Sequence, residues 1–269
     1  MILLPPSEGK AAGGDGPGWR PGSMVAPDLD ARRERVAAAL VRAMKRSQPV
    51  RGKLLGVKGD ALASATAANL ELLTGPTRPA IERYTGVLYE ALDAASLSAA
   101  HRRRLAAQVR IFSGLWGIVG PGDPIPDYKL KMGASLPPLG KLSTWWRPAV
   151  TAALAPEVAG RAVWSLLPNE HAAAWAPSLD GEGSPRAVIT VRFLDEVRRG
   201  GRAELVVVNH WNKLLKGALV RHVLATQLDE PAGLAEFAHP LGYVYAPGLT
   251  VVHADGIGVA VSLVKPADA

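Results

Sequence analysis

The chain has 269 residues, 48% of them hydrophobic, and a formal charge of +7 from 31 Lys and Arg against 24 Asp and Glu. That length and apolar content predict one sizeable core and a single domain over 1–269, and the basic excess predicts an anionic partner. Cysteine is absent, which excludes a disulfide framework, thiolate metal sites and a thiol nucleophile.

Met1-Ile2-Leu3-Leu4 reads as a short apolar strand stopped by Pro5-Pro6. It is too short for a signal peptide, and no apolar run reaches about 18 residues, so a soluble cytoplasmic protein without membrane contact is expected. Ser7-Glu8-Gly9-Lys10 opens a Gly/Pro-rich loop that places Lys10 at a sheet edge, either as a site cation or as a surface lysine. The glycines lack P-loop spacing. Asp30 to Arg46 has helical spacing, with Val36, Leu40 and Met44 on one face and arginines around them that read as a solvated surface. Leu54-Leu55-Gly56-Val57-Lys58-Gly59-Asp60 separates two helical patterns and is similar to a helix-hairpin-helix, in which backbone N–H groups and Lys58 would meet a nucleic-acid phosphate. Arg83-Tyr84-Thr85-Gly86-Val87-Leu88-Tyr89 leads into another helix, where Tyr84 and Tyr89 suit either base stacking or helix packing. Ala99 to Gln108 is an Arg-rich helix.

Ile111 to Pro148 concentrates the residues most suited to chemistry. Val109 to Phe112 predicts the end of a buried strand, and Ser113-Gly114 a sharp exit into a short helix or turn near Leu115. Ser113 would then lie where free N–H groups are offered to anions. Pro121, Pro124 and Pro126 stiffen the next segment. It carries Asp123, Tyr128, Lys129 and Lys131, a set able to hold a phosphate, a base or a small polar substrate, or to form no more than a rigid connection.

Further on, Ala149 to Ala155 predicts a short helix, Ala162 to Leu167 a strand, and Asn169-Glu170-His171 the start of a helix including Trp175. Glu170 and His171 are adjacent and point in different directions, which argues against an acid–base pair. Val188 to Phe193 predicts a strand, Leu194 to Arg199 a short helix, and Glu204 to Val208 a buried strand ending in Asn209-His210-Trp211-Asn212-Lys213. In the helix that follows, Lys213 and Lys216 share one face, and two such ammonium groups repel unless an anion lies between them. Gly242 to Tyr245 and Leu249 to Ala254 read as a hairpin across Pro247-Gly248, and Val259 to Val264 as a last strand. The six histidines show no ligand spacing, so neither a metal nor a cofactor is expected.

The segments PPSEGK at 5–10, RYTGVLYEAL at 83–92, SGLWGIVGPGDPIPDYKLKMG at 113–133, WWRP at 145–148 and NHWNKLLKG at 209–217 together resemble the YaaA family of peroxide stress proteins, in the branch with an N-terminal LPPSEGK motif. The resemblance implies an α+β fold, a mixed sheet surrounded by helices in one domain with a helix-hairpin-helix-like element. It also implies binding of double- and single-stranded DNA and a role in limiting oxidative DNA damage. The family's motif residues fall on Lys10, Arg83, Tyr84, Tyr89, Ser113, Gly114, Asp123, Tyr128, Lys129, Met132, Gly133, Lys213, Lys216 and Gly217. The chain departs from the family pattern at Gly120-Pro121 and at Lys129, where arginines are usual.

Three readings follow. A DNA-binding protein would present Lys58, Lys129, Lys213 and Lys216 along a basic face, with Arg83, Tyr84, Tyr89, Ser113 and Tyr128 contacting DNA or a nucleotide-like anion. An enzyme acting on a nucleobase, nucleoside or nucleotide would use Lys213 or Lys10 as amine nucleophile or anion holder and Asp123 as general acid or base. A protein-interaction scaffold is the third. A site lysine within reach of Asp123 in a pocket favours the enzyme, and lysines along an open groove favour binding.

Overall fold

A computed structural model describes residues 1–200, 202–207, 212–237, 239 and 241–267. In chain order, β1 (Ile2–Leu4) is followed by α1 (Asp30–Met44), α2 (Gln48–Leu55) and α3 (Gly59–Leu70), then by β2 (Arg78–Pro79), α4 (Ala80–Arg83), α5 (Val87–Leu92) and α6 (Ala99–Gln108). β3 (Val109–Ser113), β4 (Gly117–Val119), β5 (Pro124–Ile125), β6 (Ser135–Leu136) and β7 (Gly140–Lys141) lead into α7 (Leu142–Val158). Next come β8 (Ala162–Ser165), α8 (Asn169–Ala172), β9 (Ala187–Arg199), β10 (Arg202–Val207), α9 (Asn212–Thr226), β11 (Val244–Tyr245), β12 (Val251–Val252) and β13 (Gly258–Lys265).

One mixed nine-stranded sheet runs β11-β13-β9-β8-β1-β3-β4, with β10 added to β9 and β12 to β13. The strands β3, β1, β8, β9 and β13 are mutually parallel, whereas β4, β10, β11 and β12 pair antiparallel. β1 lies at the turning point, with Ile2 opposite Val109 of β3 on one side and opposite Trp164 of β8 on the other. A strand covered on both faces needs an unbroken apolar run, and Ile2, Leu3 and Leu4 supply it. From β1 the chain reaches β3 on one flank and later β8 on the other. Where strand order turns in this way, a crevice opens beyond the carboxyl ends of the strands.

Trp116, Trp146 and Trp164 are fully buried in the hydrophobic core. α7 begins at Leu142, well before Ala149, and continues through Pro148 and Pro156, so the paired tryptophans are helical. Trp146 anchors it by donating from Nε1 to the Gly114 carbonyl at 2.9 Å. Gly117 permits that fit: a Cβ there would lie 2.8 Å from the Trp146 ring.

Tertiary contacts correct four local expectations. Leu194 to Arg199 is not helical, because β10 pairs along it from Val207 opposite Leu194 to Arg202 opposite Arg199. β10 itself is exposed along its length, since β9 is its one strand partner among the described residues; Val208 lies outside the described residues. β11 and β12 do not form a hairpin with each other, for each pairs with β13. α8 stops at Ala172, before Trp175.

Arg33 on α1 departs from the solvated reading of that helix, since its side chain is wholly buried. Its guanidinium donates to the carbonyls of Trp116, Val25 and Ile118 and pairs with Asp30 at 2.8 Å. Five N–H donors in a planar fork let it satisfy these groups at once.

Candidate functional site

The crevice beyond β1, β3 and β8 contains a narrow cleft of about 50 Å³ lined by Ser7, Glu8, Lys10, Tyr128, Lys129, Lys131 and His171, among others. β1 delivers Pro5 to Lys10, and backbone pairing fixes that segment: Thr85 donates to the Gly9 carbonyl, Ala11 to the Arg83 carbonyl, and Lys10 bridges Tyr84. Lys10 therefore points over the aromatic floor. Its ammonium is 4.3 Å from the centre of the Tyr128 ring, 5.6 Å from that of Tyr84, and donates to the Ser7 carbonyl at 3.2 Å. Desolvation lowers its pKa to about 8, against the opposing pull of Asp127.

Beneath the lysine runs a chain of buried hydroxyls. The Tyr128 oxygen is 2.7 Å from the Tyr84 hydroxyl and 2.7 Å from Ser113 Oγ. Burial raises the pKa of Tyr128 to about 12 and carries Tyr84 and Tyr89 well above the usual phenol range, so the phenols keep their protons. Tyr89 stacks near Tyr84, with ring centres 5.5 Å apart, and donates to the Pro5 carbonyl.

Ser113 differs from its sequence reading. β3 turns into β4 as a hairpin, with Ser113 opposite Gly117, and Ser113 Oγ accepts the N–H groups of Leu115 and Trp116. The donors expected to await an anion are thus taken internally.

Two lysines form the outer wall. Glu8 accepts from Lys129 at 2.9 Å with one carboxylate oxygen and from Lys131 at 2.9 Å with the other. Those two hydrogen bonds, Lys129 first, hold the Glu8 pKa down to about 2. Asn69 on α3 positions Lys129, exchanging two 2.9 Å hydrogen bonds with its backbone N–H and carbonyl. The turn Gly56-Val57-Lys58 joins α2 to α3, with Gly56 at φ 68. A Cβ on Gly56 would lie 3.8 Å from the Lys131 ammonium, so the helical turn and the cleft share a border.

His171, on α8 after β8, completes the cleft. It is buried, its Nδ1 has no hydrogen-bond partner, and desolvation lowers its pKa to about 4. The Glu170 carboxylate stands 3.6 Å from Nδ1. Glu8 and Asn69 are the participants that sequence reasoning passed over, and His171 the one it set aside because Glu170 was read as pointing away, although the two side chains approach to 3.6 Å. The PPSEGK segment held a signal for Glu8 and the Glu170-His171 pair one for His171, whereas the place of Asn69 is set by long-range packing.

The remaining residues singled out in the sequence go elsewhere. Asp123 does not line the cleft: its buried carboxylate accepts from the backbones of Val25 and Gly120 and closes the loop at Gly120–Asp123, with burial raising its pKa. Arg83 is buried and donates to the carbonyls of Ile125, Pro76 and Ala11. Lys216 donates to the Leu166 carbonyl at 3.0 Å, while Lys213 is exposed, so the two do not converge. Lys58 is exposed at the start of α3. Residues 209–211 of the NHWNKLLKG segment lie outside the described residues. Among the described residues, no group of three or more His, Asp and Glu is placed to hold a metal ion, and no helix is long and apolar enough to cross a membrane.

A mixed sheet with a lysine-lined cleft at the carboxyl ends of its central strands thus defines the class of protein. Residues 1–249 match the family described as peroxide stress protein YaaA. The chain is similar to a UPF0246 protein of Streptomyces coelicolor, with 46% identity over 246 residues covering 90% of each chain. It is also similar to a UPF0246 protein of Corynebacterium glutamicum, at 36% over 234 residues and 86% of each, and to one of Hahella chejuensis, at 31% over 222 residues covering 80% of this chain and 84% of the relative. The chain belongs to the YaaA peroxide stress family.

Proposed function

We propose that this protein binds DNA and limits oxidative damage to it during peroxide stress, with the lysine-walled cleft as the phosphate-contacting centre. The observation that carries this reading is the grip of Lys129 and Lys131 on the two oxygens of one Glu8 carboxylate. Two ammonium groups spaced for a carboxylate are spaced for the two non-bridging oxygens of a phosphodiester, which would displace Glu8.

Two further features support it. The Gly56 turn borders Lys131 and exposes Lys58 beside it in sequence. On the same flank, a groove of about 960 Å³ runs between α1, α2 and residues 133–138 and carries Arg42, Arg46 and Lys53. A strand lying there would meet several cations over a surface far larger than the cleft alone.

Titration with labelled duplex and single-stranded DNA across a range of salt tests the reading. Binding should weaken steeply with salt, and Lys129→Ala and Lys131→Ala should each reduce the slope by about one unit. Binding that ignores both substitutions would overturn it.

A further inference from the structure

Lys10 is not needed to grip a phosphate. Its hydrogen bond goes to the Ser7 carbonyl, and no carboxylate among the described residues forms an ion pair with it. Without an ion-pair partner among the described residues, and with desolvation outweighing the pull of Asp127, Lys10 is placed as an amine rather than as a salt-bridge cation, its position set by the Tyr84 and Tyr128 rings. We propose that Lys10 forms an imine with the ring-opened aldehyde of abasic sites in DNA, making the cleft a site for strand cleavage at lost bases. This inference rests on the DNA-binding reading and names the substrate of the same cleft.

Four observations lead to this substrate class. The half-buried Lys10 side chain lines the cleft, and desolvation lowers its pKa to about 8, which enlarges the neutral fraction near physiological pH. The cleft volume of about 50 Å³ is far below the 300 Å³ or so at which small-molecule pockets begin, which suits the slender end of a base-free sugar and not a base-bearing nucleoside. Lys129 and Lys131 stand at its mouth, where the flanking phosphates of such a sugar would lie. His171 also lines the cleft and supplies an imidazole there, neutral because burial disfavours its cation.

The chemistry needs no oxidant or reductant. The neutral Lys10 amine adds to the C1′ aldehyde. Its two protons and the aldehyde oxygen depart as water, leaving a C1′=N bond that takes up a proton. The neutral His171 imidazole then accepts a proton from C2′, a C2′–C3′ double bond forms, and the C3′–O bond breaks with its electron pair leaving on the 3′-phosphate. Hydrolysis of the imine restores the Lys10 amine and releases an unsaturated aldehyde on the other strand fragment. The proton held by His171 passes to solvent.

The test uses the full chain, a duplex with one abasic site, the matching intact duplex, and borohydride, which reduces an imine to a stable secondary amine. The abasic duplex should give a covalent adduct, mapped by mass spectrometry to Lys10, and the intact duplex none. Lys10→Arg, which keeps the cation, should abolish the adduct, and Lys265→Ala, on β13, should leave it unchanged. His171→Gln should retain the adduct but slow strand cleavage at least tenfold. An adduct mapped to another amine, or none despite measurable binding of the abasic duplex, overturns the assignment while leaving DNA binding intact. Absence of binding to either duplex overturns both. Mapping on the unsubstituted protein decides the matter even if Lys10→Arg does not fold.

Discussion

The Lys10 ammonium lies 4.3 Å from the centre of the Tyr128 ring, and the oxygen of that same ring is 2.7 Å from both Tyr84 and Ser113. One phenol therefore joins the amine above to the hydroxyl chain below. The ends of that chain differ. Ser113 Oγ also accepts two backbone N–H groups, whereas Tyr84 has the Tyr128 hydroxyl as its hydrogen-bond partner. Tyr84→Phe should cost about 1 kcal/mol and Ser113→Ala about 2 to 3 kcal/mol, because the latter strands two buried donors. Urea unfolding of the two variants checks this, and the reverse order would show that the turn at Ser113 is not held as described.

Glu8 competes with DNA for Lys129 and Lys131. Glu8→Gln should tighten DNA binding several-fold at low salt and steepen its salt dependence, since both cations become free to displace counter-ions from the duplex. Weaker binding by this variant would mean that Glu8 organises the lysines instead of occupying them. Its own pKa near 2 means that the competition persists at any pH above that value.

His171 has its pKa lowered to about 4 by burial, below the unfolded value near 6.5. Between those two pH values the unfolded chain binds more protons than the folded one, so stability rises with pH through the window and is lost as pH falls from 6.5 towards 4. The expected loss is on the order of 3 kcal/mol. Thermal unfolding of the protein and of His171→Gln across that range should converge as the pH falls, and parallel curves would count against a buried neutral imidazole.

Arg33 carries a buried charge paired with Asp30 and three carbonyls. Arg33→Ala leaves the Asp30 carboxylate with the Gly22 N–H but no cation, and those carbonyls without the guanidinium, and should cost about 3 to 5 kcal/mol. Denaturant unfolding gives the number; a loss under about 1 kcal/mol, the usual worth of a surface pair, would restore the solvated reading of α1.

Gly217 holds α9 against α5, where a Cβ would lie 2.6 Å from the Ala91 Cβ and 2.9 Å from the Leu92 amide nitrogen and would press on the Leu88 carbonyl. Gly217→Ala should therefore destabilise the protein by about 1 to 3 kcal/mol despite the better helix propensity of alanine. A gain in melting temperature would contradict that close packing.

Local pattern went far in this chain. The apolar run of β1, the helical spacing of α1 and α6 and the exit at Ser113 are written in short-range hydrophobic order, and the structure places them at Ile2–Leu4, Asp30–Met44, Ala99–Gln108 and the end of β3. The extension of β9 through Leu194–Arg199 was not legible, because its strand state depends on β10 pairing along it. Lys213 and Lys216 show the same limit within the candidate site: helix spacing puts them on one face, yet the Leu166 carbonyl claims one ammonium and not the other.

By itself the sequence determined most of the local elements, the basic excess and the family, since propensity, periodicity and motif spacing are properties of neighbouring residues. Which charges meet was decided only by the tertiary structure. The turn of strand order at β1 brings the ends of β1, β3 and β8 to one crevice and so joins Lys10, Tyr128 and His171 across more than 160 positions of chain. Burial then sets their chemistry: it strips water from Lys10 and His171, keeps the phenols protonated, and assigns Asp123 and Arg83 to holding the loops around them.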